Sequence, residues 1–180
     1  MAGKSFYELD YMIEINEQRL EQYTSASEKV MERLTNIIII YSAMAIFLVP
    51  IVRMVFWNGR VDWVLHLSFG LFALLFGVSV LFTVRLILPR HSALLQIPAV
   101  IYNDCWIKYE KTLNNRIAIE DLLKTLYVVE LENALSIASK NCTKKFQFYK
   151  NSLISALLSA LPYLVCFGYY LTKIKDYVSG

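Results

Sequence analysis

Lys140, Lys144, Lys145, Phe146, Phe148, Tyr149 and Lys150 interleave basic and aromatic side chains within a short stretch. Ammonium groups attract phosphates and aromatic rings stack on bases, so the stretch suits an anionic ligand such as a nucleotide, an oligonucleotide or a lipid headgroup. A plainer role fits the same residues. The stretch directly precedes an apolar run, where lysines anchor topology and aromatics sit at the interface.

Hydroxyls inside apolar runs are the second kind of candidate. Over 63–84, at about 100° per residue, His66, Gly70, Ala73 and Gly77 fall on one helical stripe and Ser68, Ser79 and Thr83 on the opposite one. Small residues at such spacing let helix backbones approach closely in lipid, so the first stripe is expected to pack. The hydroxyl stripe either lines water or bonds the backbone of its own helix. Ser152, Ser155 and Ser159, with Ala156 and Ala160, repeat the pattern near the C-terminus. Ser42, Ile46, Val49 and Arg53 share a stripe in the first run, beside Pro50. A charge in a span is a functional candidate by default. Arg53, however, lies about 25 Å of helical rise beyond Asn36, where snorkelling to the interface suffices. Ser42, Arg53, Ser68, Ser79 and Thr83 are the candidate lining of a pore.

Catalytic signals are lacking. His66 and His91 stand alone, and no nucleophile elbow, phosphate loop or metal-binding helix motif occurs. Glu120, Asp121, Glu130 and Glu132 read as a solvated helix face. Cys105, Cys142 and Cys166 are too scattered for a disulfide framework or a zinc site. An enzyme is not expected, nor is a cofactor or a metal.

The elements that must position these residues follow from composition. The 180 residues are 57% hydrophobic and 18% charged, against roughly 25% charged in an average soluble domain. Charge is absent from 36–52, 63–84 and 151–172. A membrane-crossing helix needs about 20 apolar residues, which the last two runs supply outright and the first supplies when 53–57 complete it. The expectation is an all-α membrane protein: three transmembrane helices with a long-helix cytoplasmic stalk. Its segments are an amphipathic arm at 1–35, spans at 36–57, 63–88 and 151–172, a tight external turn at 58–62, a cytoplasmic helical region at 89–150 and an external tail at 173–180. Trp57 and Trp63 flank the turn as interface anchors.

The arm carries Phe6, Leu9, Ile13, Leu20, Tyr23, Val30 and Leu34 at heptad spacing, with Asn16 and Ser27 as polar seam positions. The reading is one helix running directly into the first span. Within 89–150, residues 99–113 can form a helix, and Asn114 and Asn115 break it. A stripe from Ile119 through Leu123, Tyr127, Leu131, Leu135, Ala138, Cys142 and Phe146 to Tyr149 keeps steps of three or four. It predicts a long helix continuing into the third span. The arm and this helix, about 45 and 50 Å long, are expected to pack side by side.

Residues 1–35 hold four Lys/Arg against seven Asp/Glu, and 85–150 hold ten against six. The positive-inside rule then places the N-terminus and 89–150 in the cytoplasm and the C-terminus outside. No secretory signal peptide is expected.

Arg19, Leu20, Ala26, Arg33, Leu34 and Ser42, on a helix that enters a Ser-containing span followed by a tight hairpin and a second span, resemble the SLATT-type membrane effectors of bacterial nucleotide-linked anti-phage systems. The likeness covers about half of the chain; the acidic arm and the third span depart from that pattern. It implies a homo-oligomeric pore in the bacterial inner membrane, controlled by a nucleotide or, as in Hailong-type effectors, a DNA oligomer made by a partner enzyme. Three spans of one small chain cannot enclose a channel, so a pore requires an assembly, expected to be a tetramer. The alternative is a non-conducting membrane scaffold that docks a soluble partner through its helical stalk.

Overall fold

The computed structural model describes the backbone of residues 8–57, 63–88 and 116–178, and the side chains of 8–56, 63–88 and 117–172. Four helices account for these residues: α1 Leu9–Glu32, α2 Leu34–Trp57, α3 Trp63–Ile87 and α4 Arg116–Val178. Three helical stretches are long and apolar enough to cross a membrane: Leu9–Phe56, Trp63–Ile87 and Ile117–Thr172. The turn at 58–62, the helix expected at 99–113, the break at Asn114 and Asn115, and His91 and Cys105 lie outside the described residues.

The arm and first span meet at Arg33, the single residue between α1 and α2. The Arg33 N–H still donates to the Lys29 carbonyl at 3.2 Å, and Asn36 N–H donates to the Arg33 carbonyl at 3.1 Å. The arm thus runs into the first span as one stretch from Leu9 to Phe56, with a single turn residue, Arg33, between the two helices. Asp10 in the first turn of α1 and Lys29 in its last complement the helix dipole. Thr24, Thr125 and Thr143 return their hydroxyls to the carbonyls of Leu20, Asp121 and Ser139, four residues back.

The chain divides into two compact units: Met1–Glu28 with Pro89–Lys144, and Lys29–Leu88 with Lys145–Gly180. In the first, α1 and the early part of α4 run parallel. Lys124 pairs with Asp10 at 2.9 Å, and Tyr127 donates to Glu17 at 2.8 Å, so both helices advance together. Asn16, Ile119, Val128, Leu131 and Ala134 are buried in this unit. Asn16 thus occupies the seam that its heptad position indicates.

The second unit is built on three apolar segments in two buried clusters. One joins Val30, Ile37, Leu86 and Tyr149. The other joins Met44, Ile51, Met54, Val55, Leu65, Phe72, Tyr163 and Cys166. Residue numbers rise from the first cluster to the second along α2 and α4 and fall along α3, so α3 is antiparallel to the other two. Phe72 contacts both Phe76 (5.4 Å between centroids) and Tyr163 (5.5 Å), and Phe47 packs on Phe167 at 4.7 Å. Pro50 and Pro162 lie inside α2 and α4. Each removes one helical N–H, from the carbonyls of Ile46 and Leu158 respectively. The outer surface carries Ile39, Val49, Leu67, Leu74, Leu81, Leu161 and Leu164, all more than half exposed. Such a surface is a liability in water and the expected one against lipid tails.

Candidate functional site

Between the two apolar clusters of the second unit lies a layer of four hydroxyls: Tyr41 from α2, Ser79 and Thr83 from α3, and Ser152 from α4. Helical geometry puts them there. Tyr41 follows Ile37 by one turn and precedes Met44 by three residues, so it shares the buried stripe of α2. Ser79 and Thr83 are four apart and stack on one face of α3. Ser152 follows Tyr149 by three residues on α4.

Ser79 Oγ donates to the Ser152 carbonyl at 2.7 Å, and Ser152 Oγ donates back to the Ser79 carbonyl at 3.1 Å. The two hydroxyl oxygens are 3.3 Å apart. Thr83 Oγ1 lies 2.6 Å from Ser152 Oγ and 3.0 Å from the Ser79 carbonyl. The Tyr41 hydroxyl reaches Ser79 Oγ at 2.7 Å and Thr83 Oγ1 at 2.9 Å. One proton arrangement serves all four groups: Ser79 and Ser152 donate to each other's carbonyls, Thr83 to Ser152 Oγ, and Tyr41 to Ser79 Oγ. Ser79 and Ser152 are fully buried. A hydroxyl stripped of water without a partner costs roughly 4–8 kcal/mol in a medium that cannot hydrogen-bond. The cluster removes that cost by tying all three segments together. A reciprocal side-chain-to-carbonyl pair also requires the α3 and α4 backbones to come close, which small serines permit.

The candidate lining residues are thereby separated. Ser79 and Thr83 are joined inside the chain and bond partners from other helices, a use that the sequence reading did not weigh, while Thr83 also reaches the Ser79 carbonyl of its own helix, one of the uses that it did. Ser68 is half-buried, eleven residues from Ser79 along α3. Ser42 and Arg53 are exposed on the outward stripe of α2, with Ile46 and Val49. The small-residue stripe of α3 points outward too. His66, Gly70 and Ala73 are exposed and Gly77 is half-buried. A methyl group added at Gly70 or Gly77 would meet nothing within 4 Å. Among the described residues, then, α3 packs through its hydroxyl face, and its small face is the more exposed of the two.

The basic and aromatic stretch is likewise sorted by burial. Lys140 and Lys144 are exposed on the first unit. In the second, Lys150 is exposed, Lys145 is half-buried and Phe146 is exposed. Phe148 is half-buried, with its ring 6.1 Å from that of Phe82. Tyr149 is buried with Val30, Ile37 and Leu86. Phe146 is thus the most exposed ring of the three, while Phe148 lies partly against Phe82 and Tyr149 packs within the buried cluster.

Lys124 and Tyr127 hold the two helices of the first unit together. The Asp10 hydrogen bond raises the Lys124 ammonium above its ordinary pKa against desolvation, helped by the charge of Asp10 and by Glu120. Burial, then the bond to Glu17, pushes the Tyr127 phenol up. The buried Tyr163 hydroxyl makes no hydrogen bond of good geometry, although the Phe47 main chain is nearby.

Tyr41 is the residue that sequence reasoning missed. Its signal was present: a phenol alone in the middle of the uncharged run 36–52, four residues from Ile37. Among the described residues, no group of three His, Cys, Asp or Glu is placed to hold a metal ion. Cys142 is half-buried and Cys166 buried, both as free thiols. Comparison with known protein families, curated proteins and solved structures finds no match.

Proposed function

We propose that the protein is a homo-oligomeric membrane pore whose three-span unit assembles through the open small-residue face of α3, under control of an anionic ligand at its water-exposed basic helix. The observation that carries the assembly is the open stripe itself. A methyl group at Gly70 or Gly77 would meet no described atom within 4 Å, Ala73 is exposed, and glycine costs helix stability unless close approach repays it. A second copy repays it. About four copies present enough helices to surround a path, with Ser42 and Arg53 on the outward α2 stripe and Ser68 on α3 as the polar groups available to it. Ser79 and Thr83 instead clasp each subunit together.

Lys140, Lys144, Lys145 and Lys150, with Phe146, are the proposed ligand contacts. A nucleotide or DNA oligomer from a partner enzyme, a bacterial inner membrane and a role in anti-phage defence rest on the resemblance to SLATT-type effectors. The cytoplasmic placement of the N-terminus and of the parallel helices as a stalk rests on the Lys/Arg distribution.

The sealed hydroxyl cluster favours a second reading, a non-conducting scaffold. It leaves the surface of the spans almost wholly apolar, with little to wet a path. Flux from liposomes decides between them. Purified protein should release potassium in at least one state of ligand occupancy. Liposomes that stay tight with and without oligonucleotide establish the scaffold.

A further inference from the structure

We infer that the three-span unit binds an anionic phospholipid at one membrane face, with the phosphate held by Arg33, Arg85 and Lys150. This inference is independent of conduction.

The buried cluster of Val30, Ile37, Leu86 and Tyr149 brings three chain segments to one level. Each brings cations with it. Lys29 adjoins Val30, Arg33 lies between Val30 and Ile37, Arg85 adjoins Leu86, and Lys150 adjoins Tyr149; all four are exposed. At this level the described acids are Glu28, next to Lys29, and Glu32, next to Arg33. The ion pairs of Lys124 belong to the other unit and neutralise none of these charges. Lys29, Arg33, Arg85 and Lys150 thus outnumber the described acids beside them four to two, which leaves an excess of positive charge at this level.

What lies beside these cations identifies the occupant. Ile38 and Ile39 on α2, Leu81 and Val84 on α3 and Ile154 on α4 are all more than two-fifths exposed, within about two turns of these cations. A soluble phosphate compound gains nothing from that apolar wall. A phospholipid satisfies both parts, its phosphate on the guanidinium forks and its acyl chains along the helices. Clusters of this size next to a span attract anionic headgroups. The opposite end of α2 provides the contrast: Arg53 is the one cation described there.

The test uses the full chain in neutral detergent, titrated with phosphatidylglycerol or phosphatidylcholine of identical acyl chains. Native mass spectrometry counts the lipids retained. Wild type should keep phosphatidylglycerol and shed phosphatidylcholine. The triple variant Arg33→Gln, Arg85→Gln, Lys150→Gln should bind phosphatidylglycerol at least about tenfold more weakly, and Arg53→Gln should match wild type. Equal retention of the two lipids by wild type overturns the inference without any variant. So does undiminished phosphatidylglycerol binding by the triple variant, or equally effective competition by glycerol phosphate, which would make these cations a site for soluble anions. If the triple variant does not fold, the single variants Arg85→Gln and Lys150→Gln replace it, each expected to show partial loss; wild-type affinity in both refutes the assignment.

Discussion

Ser79→Ala removes the hydroxyl that both Tyr41 and Ser152 use. Two short bonds vanish, the 2.7 Å contact with Tyr41 and the 2.7 Å donation to the Ser152 carbonyl. Side-chain hydrogen bonds between membrane helices contribute about 0.6 kcal/mol on average and up to about 1.7 kcal/mol each. The remaining partners soften the loss. Tyr41 still has Thr83 at 2.9 Å, and the Ser152 carbonyl keeps its place in the helical ladder. The expected destabilisation is therefore about 1–3 kcal/mol. Ser152→Ala should cost a similar amount, because it takes the 3.1 Å donation to Ser79 and the 2.6 Å contact with Thr83. The double variant should lose less than the two added together, since either change already loosens the same α3–α4 approach. Equilibrium unfolding in mixed bicelles measures all three, with Ser68→Ala, outside the cluster, as a control expected within about 0.5 kcal/mol of wild type. A cost for Ser79→Ala no greater than the control, or strict additivity in the double variant, refutes the cluster as the tie between the three segments.

Gly77→Leu should leave the subunit folded, since open space lies beyond that position, while lowering the assembled mass in detergent; wild-type mass on size-exclusion light scattering defeats the packing assignment. Lys144→Glu with Lys145→Glu should abolish binding of labelled oligonucleotide at low salt, and wild-type binding should fall steeply as salt rises; a flat wild-type titration removes the soluble anionic ligand. Lys124 and Tyr127 both have folded-state pKa values raised above their ordinary 10.5 and 10.0, so their contribution is complete below those values and is lost as pH rises through the folded ones. The α1–α4 pairing should loosen in that alkaline range, as spin labels on the first unit would register, and Lys124→Met with Tyr127→Phe should flatten the response. Reporter fusions after Gly180 and within 116–140 should report opposite sides of the membrane, and a common side defeats the three-span topology.

The spans were legible because an apolar run of about 20 residues has few other uses, and the three helical stretches long and apolar enough to cross a membrane include those runs. The seam position of Asn16 was readable from heptad spacing. The role of the α3 faces was not. Periodicity separates Ser79 and Thr83 from Gly70 and Gly77, but it cannot say which stripe meets the chain's own helices. That depended on Tyr41 and Ser152 arriving at the same depth from segments 38 and 73 residues away from Ser79. The packing of Tyr149 was hidden for a related reason. A ring beside lysines reads as a ligand contact, whereas helix phase turned it toward Val30 and Leu86. Phe146, three residues earlier, took the exposed phase instead.

The hydroxyl cluster also sets an order of events during biogenesis. Ser79 and Thr83 enter the membrane with the second span, when Tyr41 of the first is already present and Ser152 has yet to be synthesised. In that interval Thr83 can return its proton to the Ser79 carbonyl, and the Tyr41 phenol can bridge the two hydroxyls, but Ser79 has lost the acceptor it uses in the finished fold. The hairpin of the first two spans is therefore expected to be less firmly tied than the complete unit, which gains the exchange between Ser79 and Ser152 only with the third span. A chain halted before Lys145 should be held by the insertion machinery or degraded, while the complete chain passes into the bilayer and stays there.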